Sequence, residues 1–227
     1  MLPVAILAGG LGTRLYPATE RIPKALIEIR GEPFLAHQLR LLRARGIERV
    51  ALCAGYLGEM IRDFAGDGRE FGLRIEYSFD GPALRGTAGA IRNAIHLLAD
   101  AFFVLYGDSY LPCDYAAVEG AFRDAGKLAL MTVYRNEGQW DASNVEFAGG
   151  RILAYDKDRR TPSMRHIDYG LGVFRREAFD GPEADLAATY QRLLRAGQLA
   201  GYEVHERFFE VGSFEGVRDL AAHLEGG

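Results

Sequence analysis

The stretch Val4-Ala5-Ile6-Leu7-Ala8-Gly9-Gly10-Leu11-Gly12-Thr13-Arg14-Leu15, followed by Pro23-Lys24, decides the fold. Its opening, Val4 to Leu7, is a short apolar run that reads as a buried strand. Gly9, Gly10 and Gly12 then leave backbone N–H groups uncovered, and without Cβ atoms the chain can approach a bulky anion closely. Successive N–H groups in such a loop form a concave cradle of positive partial charge. Arg14 adds a planar fork and Lys24 a point charge, and both suit phosphate oxygens. The segment reads as a polyphosphate site. It is not a Walker loop, which needs Lys-Ser/Thr after its last glycine, where this chain has Thr13-Arg14. It is not a dinucleotide fingerprint either: Glu28 stands at a tolerable distance, but Pro17 falls where the helix would start. A plain glycine turn accounts for Gly9 and Gly10 and leaves Arg14 and Lys24 unexplained.

Outward from this loop, strands and helices alternate. Ala25 to Ile29 reads as a short strand, and Pro33 opens a helix that carries Leu35, Leu39 and Leu42 and ends at Gly46. Arg49 to Ala54 is the next core strand, Leu57, Ile61 and Phe64 mark a helix, and Leu73 to Tyr77 alternates like a strand. A loop from Phe79 through Asp80, Gly81, Pro82 and Arg85 leads into Gly86-Thr87-Ala88-Gly89, and Ile91, Ile95 and Leu98 define a third helix. Phe102 to Tyr106 is a nearly continuous apolar run, the mark of a central parallel strand, with Gly107-Asp108 at its carboxyl end. Such alternation argues a doubly wound α/β domain whose ligands lie beyond the strand carboxyl ends.

The second half is less regular. Asp114 caps a helix through Tyr115, Val118, Phe122 and Ala125, closed by Gly126. Leu128 to Tyr134 and Ile167 to Phe174 read as strands, and Asn144 to Phe147 with Arg151 to Tyr155 as a hairpin around Gly149-Gly150. Helices over Leu186 to Arg195 and around Val217, Leu220 and Leu224 close the chain, with no internal repeat or linker.

Composition narrows the function. The 227 residues suit one large domain, and 48% hydrophobic with 26% charged residues is ordinary for a globular enzyme. A net charge of −4 offers no general attraction to nucleic acid or an anionic membrane, so phosphate binding must be local. Cys53 and Cys113 are read as packing residues, and the five histidines show no metal-ligand spacing. With no leader-like start and no stretch long enough to span a membrane, a cytoplasmic location is expected.

The stretch from Leu7 to Lys24, Gly-Gly-x-Gly-Thr-Arg followed by Pro-Lys, resembles the signature of the sugar-1-phosphate nucleotidyltransferases, or NDP-sugar pyrophosphorylases. The resemblance recurs at Gly86-Thr87-Ala88-Gly89-Ala90, Gly107-Asp108, Asp156-Lys157 and Glu210-Val211-Gly212-Ser213, and so spans nearly the whole chain. It implies a Rossmann-like (GT-A-type) fold: a doubly wound, mostly parallel mixed sheet flanked by helices, with a smaller β-rich sugar-binding part. One catalytic domain over 1–227 is expected, with a nucleotide-binding half over 1–112, a sugar-binding half over 113–227, and no C-terminal β-helix of the kind family members often append. Short single-domain relatives include heptose- or mannose-1-phosphate guanylyltransferases and N-acetylmuramate-1-phosphate uridylyltransferases.

Such enzymes join a sugar 1-phosphate to the α-phosphorus of a nucleoside triphosphate and release pyrophosphate. The attacking phosphate oxygen is already ionised near neutral pH, so no protein base is needed. In-line positioning and relief of charge repulsion are needed. The resemblance implies catalytic roles for Arg14, Lys24 and Asp108, with Leu7, Ala8, Gly9, Gly10, Gly12, Thr13, Arg14, Asp80, Gly86 and Thr87 around the nucleotide. It implies Mg²⁺, held by Asp108 and by Glu210, which stands where the family has a second aspartate. On the sugar side it implies Tyr110, Asn144, Glu146, Asp156, Lys157, Tyr169 and Gly170, with Asp156-Lys157 in place of a Glu-Lys pair. Tyr169 has the alternative of filling the sheet face. Asp80 as an acceptor suits a guanine edge, which inclines the reading to GTP with heptose or mannose 1-phosphate. Uridylyl, cytidylyl or thymidylyl transfer to another sugar 1-phosphate stays open. So do a non-catalytic nucleotide-sugar binder and a glycosyltransferase using Asp156-Lys157-Asp158 as Asp-x-Asp. The partners expected are the two small substrates, with a homodimer as a compatible assembly and neither nucleic acid nor membrane.

Overall fold

A computed structural model of the chain describes residues 1–81 and 83–226. Pro82 of the expected base-reading loop lies outside the described residues. In chain order the strands are β1 (Val4–Ala8), β2 (Glu28–Ile29), β3 (Glu32–Pro33), β4 (Arg49–Ala54), β5 (Arg74–Phe79), β6 (Ala101–Tyr106) and β7 (Ser109–Tyr110). They continue with β8 (Ala129–Arg135), β9 (Val145–Ala148), β10 (Arg151–Tyr155), β11 (His166–Arg175), β12 (Leu199–Val204) and β13 (Phe209–Glu210). The α-helices are α1 (Phe34–Ala44), α2 (Gly58–Ala65), α3 (Thr87–Ala94), α4 (Tyr115–Ala125), α5 (Leu186–Arg195) and α6 (Phe214–His223).

Nine of these strands share one sheet in the order β10-β9-β11-β6-β1-β4-β5, with β8 and β12 branching from β11. The four strands of the first half, β6-β1-β4-β5, are all parallel, as β-α alternation dictates. β11 then pairs antiparallel with β6, placing Leu171 opposite Leu105, so the sheet continues from the first half into the second. Helices cover both faces. Leu35, Leu39 and Leu42 of α1, Ile61 of α2 and Val118 and Phe122 of α4 pack on one. Ile91 of α3 with Leu186, Tyr190 and Leu193 of α5 packs on the other. A third cluster joins Leu15, Ile29 and Phe34 to Phe209, Val211 and Leu220, fastening α6 beside the glycine loop.

Local chemistry follows the sequence at most ends. Asp114 accepts from the N–H groups of Ala116 and Ala117, and Gly126 takes the left-handed angle that stops α4. The expected strand over Ala25 to Ile29 is a correction: Lys24–Leu26 is a 3₁₀ turn, with Leu26 N–H on Pro23 O and Ile27 N–H on Lys24 O, and only Glu28–Ile29 is extended. That tight turn aims the Lys24 side chain inward. The third helix also ends earlier than its apolar spacing suggests, because the chain tightens to 3₁₀ geometry over Ile95–Leu97.

Candidate active site

The carboxyl ends of β1 and β6 lie side by side, with Leu7 paired to Tyr106. From β6 the chain turns through Gly107, where a Cβ would sit 2.4 Å from the Leu7 carbonyl oxygen, so only glycine fits. Gln38 of α1, almost fully buried, donates from Nε2 to the carbonyls of Tyr106 (3.3 Å) and Ser109 (2.8 Å) and clamps the turn that presents Asp108. The Val211 N–H donates to the Asp108 carbonyl at 2.7 Å, and β13 pairs with β7 so that Glu210 stands opposite Ser109. Two carboxylates far apart in sequence therefore meet at one strand end.

Lys24 reaches the same point, its Nζ 2.5 Å from Asp108 Oδ2. Across the loop, Gly12 has φ +63° and its carbonyl accepts from the Thr19 hydroxyl at 2.8 Å. A Cβ at Gly12 would strike the Thr19 side chain, whereas one at Gly10 would meet nothing within 4 Å. Gly10 is thus open towards any ligand, and Gly12 is closed by packing. Arg14 is exposed and lays its guanidinium over Gly212, where an added Cβ would be 2.9 Å from it.

Two cavities flank Asp108. The first, about 230 Å³, is lined by Leu7, Ala8, Gly9, Gly10, Lys24, Asp80, Gly86, Thr87, Cys53, Tyr106 and Asp108. The second, about 250 Å³, is lined by Arg14, Tyr106, Asp108, Asp141, Asn144, Lys157, Asp168 and Glu210. Tyr106 and Asp108 form the boundary shared by both. Arg14 and Lys24 also line a small recess with Gly12, Thr13 and Gly212.

Electrostatics mark the same junction. Burial, then the charges of Asp108 and Asp141, push the Glu210 carboxyl up to about 7, against the pull of Arg14 and Lys24. Carboxylates crowded until one holds its proton near neutrality offer hard oxygen donors and excess negative charge, which suits Mg²⁺. No group of three or more His, Cys, Asp and Glu poised to hold a metal occurs among the described residues. A pair of carboxylates completed by substrate phosphate oxygens is the arrangement Mg²⁺ commonly takes. Asp80 is also raised, chiefly by burial, against the pull of the Arg85 backbone N–H and the Arg85 charge. The Cys53 and Cys113 thiols are free and buried, each pushed up to about 12 by burial, which leaves them inert.

A family model described as "Nucleotidyl transferase" matches residues 4–141. The chain is 32% identical over 237 residues to the N-acetylmuramate alpha-1-phosphate uridylyltransferase of Neisseria meningitidis serogroup B, covering 96% of each. It belongs to the sugar-1-phosphate nucleotidyltransferases. It is also 37% identical to a mannose-1-phosphate guanyltransferase of Gibberella zeae, over 91% of this chain and 60% of that longer one. The fold matches, with a TM-score of 0.87 at 20% identity, a putative glucose-1-phosphate thymidylyltransferase from Bacillus anthracis in complex with a sucrose; the match covers 98% of this chain and 95% of that one.

Within this nucleotidyltransferase the expected residues divide. Leu7, Ala8, Gly9, Gly10, Lys24, Asp80, Gly86, Thr87 and Asp108 all border the first cavity, and Asn144, Lys157 and Glu210 the second. Thr87 borders the first cavity with its Oγ1 accepting from Leu186 N–H at 2.7 Å, a bond that leaves the hydroxyl hydrogen to donate. Ala88 and Gly89 likewise give their N–H groups to the Ala184 carbonyl, so the start of α3 is tied to the segment before α5. Five residues expected on the sugar side border neither cavity. Tyr169 is 1% exposed and turns its ring into the core against Tyr134 and Phe208. Tyr110 packs edge-on to Phe209 and His223. Glu146 accepts from the Ser163 hydroxyl, and Asp156 accepts from Asp158 and Arg159 N–H, each serving its own loop. Gly170, at φ +96°, borders neither cavity and gives its N–H to Asp168 Oδ1.

Sequence reading passes over Tyr106 and places Asp168, with Tyr169 and Gly170, near the sugar-contacting segment of the family. Tyr106 ends an apolar strand run, which hides a cleft-facing ring. Alternation on β11 held the signal: Asp168 and Tyr169 must face opposite sides of the sheet.

Proposed function

We propose that this nucleotidyltransferase uses GTP and heptose or mannose 1-phosphate, with Mg²⁺, to make a GDP-sugar and pyrophosphate. The supporting observation is the meeting of two cavities at Asp108, with Arg14, Lys24 and Glu210 around the junction. The base enters the first cavity beside Asp80, whose carboxylate borders it and accepts from the N–H donors of a guanine edge. The glycine loop and Arg14 hold the β- and γ-phosphates, and the sugar 1-phosphate occupies the second cavity against Lys157 and Asn144. Residues 1–112 thus serve the nucleotide and 113–227 the sugar.

The chemistry is attack by an ionised sugar-phosphate oxygen on the α-phosphorus, opposite the departing pyrophosphate. Lys24 and Lys157 neutralise two anions that would otherwise repel, and Arg14 stabilises charge building on the leaving group. Asp108 and Glu210 would hold the magnesium ion, which supplies charge neutralisation to the phosphate oxygens. Among the described residues no helix is long and apolar enough to cross a membrane. The pair of substrates suits a cytoplasmic enzyme feeding cell-envelope polysaccharide synthesis, with a homodimer as the assembly that light scattering would test.

The Neisseria relative, covered almost end to end, favours a second reading with UTP. Pyrophosphate release with four nucleoside triphosphates crossed with several sugar 1-phosphates separates the two. GTP with a manno-configured sugar phosphate should give the highest kcat/KM; preference for UTP overturns the guanylyl assignment, and no release with any pair overturns the activity.

A further inference from the structure

Asp168 sits at the inner end of the sugar-side cavity with its side chain only 3% exposed. A buried carboxylate is costly unless its lone pairs are met and its charge is balanced. Oδ1 accepts from Gly170 N–H at 3.1 Å, and Oδ2 from the Tyr155 hydroxyl at 3.3 Å. A neutral amide oxygen would meet either donor equally well. The negative charge has a separate counterpart: Lys157 Nζ, 3.7 Å from Oδ2.

Lys157 itself is 41% exposed and lies just beyond the end of β10. A lysine in such a place ordinarily spreads over many rotamers in water. Here its ammonium lies 5.0 Å from the centroid of the Tyr106 ring and 3.5 Å from the Tyr106 hydroxyl, turned towards the cleft. Tyr106 belongs to the boundary between the two cavities. The Asp168 N–H donates to Asn144 Oδ1 at 2.9 Å, so the same residue also fixes the other polar group of the sugar side.

We propose that Asp168 is a positioning residue: its buried charge tethers Lys157 over Tyr106, aimed at the sugar phosphate, without touching the substrate. The assignment rests on the reading of the second cavity as the sugar-phosphate site. The separation is longer than a tight ion-pair hydrogen bond, so the ammonium keeps its donors for an incoming phosphate while its location is restricted. Orientation is fixed before the ligand arrives, which lowers the entropy lost on binding.

Asp168→Asn keeps one oxygen to accept from Gly170 N–H, turns an amide N–H towards the Tyr155 hydroxyl oxygen, which can accept it, and removes the charge. It should raise KM for the sugar 1-phosphate about tenfold, leave KM for the nucleoside triphosphate unchanged and lower kcat less than about threefold. In a Lys157→Met background the same change should alter the sugar-phosphate KM by less than about twofold, because the tethered group is gone. An equal effect in both backgrounds overturns the proposal. A readout without turnover comes from reductive methylation followed by mass spectrometry. Lys157 should label several-fold faster in Asp168→Asn than in the parent, and an unchanged rate overturns the tether. Should Asp168→Asn fold poorly, Tyr106→Leu loosens the other support of Lys157 and should accelerate the same labelling; no acceleration there also overturns it. Wild-type protein inactive with every substrate pair refutes the reaction assignment, whereas labelling decides the tether on its own.

Discussion

The two walls of the cleft are built from different materials. The nucleotide side is rich in glycine, Gly9, Gly10, Gly86 and Gly107, which brings backbone to its surface, with strand ends of β1, β4 and β6 beneath. The sugar side is mostly side chains, Asn144, Lys157, Asp168 and Glu210, brought together from four separate segments of the second half. A glycine-rich wall is sensitive to volume where an added methyl would meet backbone, as at Gly86 and Gly107. A side-chain wall is sensitive to charge and tolerates volume. The predicted consequences test that division, and the largest falls on the backbone wall.

Gly107→Ala should destabilise the fold severely, because the new Cβ meets the Leu7 carbonyl at 2.4 Å and Ala8 Cα at 2.9 Å, both backbone atoms that cannot move aside. A loss of about 3 kcal/mol or more is expected by urea unfolding. Gly10→Ala is the control, with open space around its Cβ and no positive φ. Its melting temperature should stay within about 2 °C of the parent while KM for the nucleotide rises. Unchanged nucleotide KM would show that the triphosphate does not lie on Gly10. Arg14→Ala comes next. An exposed side chain resting on Gly212 should cost little stability, yet its removal should lower kcat about a hundredfold in a pyrophosphate-release assay. Loss of fold instead would make Arg14 a strut for the α6 junction.

The same contrast explains what the chain revealed before folding. Backbone walls leave a local trace, because glycines must be adjacent in sequence to make one loop; Gly9 to Arg14 and Gly107-Asp108 were legible for that reason. Alternating apolar runs likewise placed β1, β4, β6 and α4 closely, down to the Asp114 cap. Side-chain walls leave almost none. Whether Asp168 or Tyr169 faces the cleft depends on the register in which β11 pairs with β6, across about sixty residues of sequence. Tyr110 and Glu146 are engaged by neighbours within the fold, Phe209 for one and Ser163 for the other, and nothing local in the sequence signals either contact.

A smaller effect sharpens the charge side of the comparison. With its carboxyl raised from 4.5 to about 7, Glu210 binds a proton more tightly in the folded chain than in the unfolded one. Its contribution to stability is therefore fully present below about pH 4.5 and is lost as pH rises through about 7. In metal-free buffer Glu210→Gln should remove that decline and melt a few degrees higher than the parent at pH 8, with little difference at pH 4.5. Added Mg²⁺ should narrow the gap at pH 8 by stabilising the parent more than the variant. Equal stabilisation of both proteins would take Glu210 out of the metal site and leave it as a buried neighbour of Asp108.

The smallest effect belongs to Asp156, which tests whether the sugar wall extends beyond Lys157. Its carboxyl is held below the usual range by the N–H groups of Arg159 and Asp158, so both bonds stabilise the turn after β10 rather than face the cavity. Lys157 lies inside that turn, but its ammonium is held from outside it, by Asp168 and Tyr106. Asp156→Ala should therefore change the sugar-phosphate KM by less than about twofold and leave Lys157 labelling at the parent rate, as for an exposed residue without a ligand contact. A tenfold rise in KM with unchanged labelling would mean that Asp156 itself reaches a sugar hydroxyl once substrate is bound. A rise in both would mean that the turn, and not the Asp168 charge alone, sets the direction of Lys157.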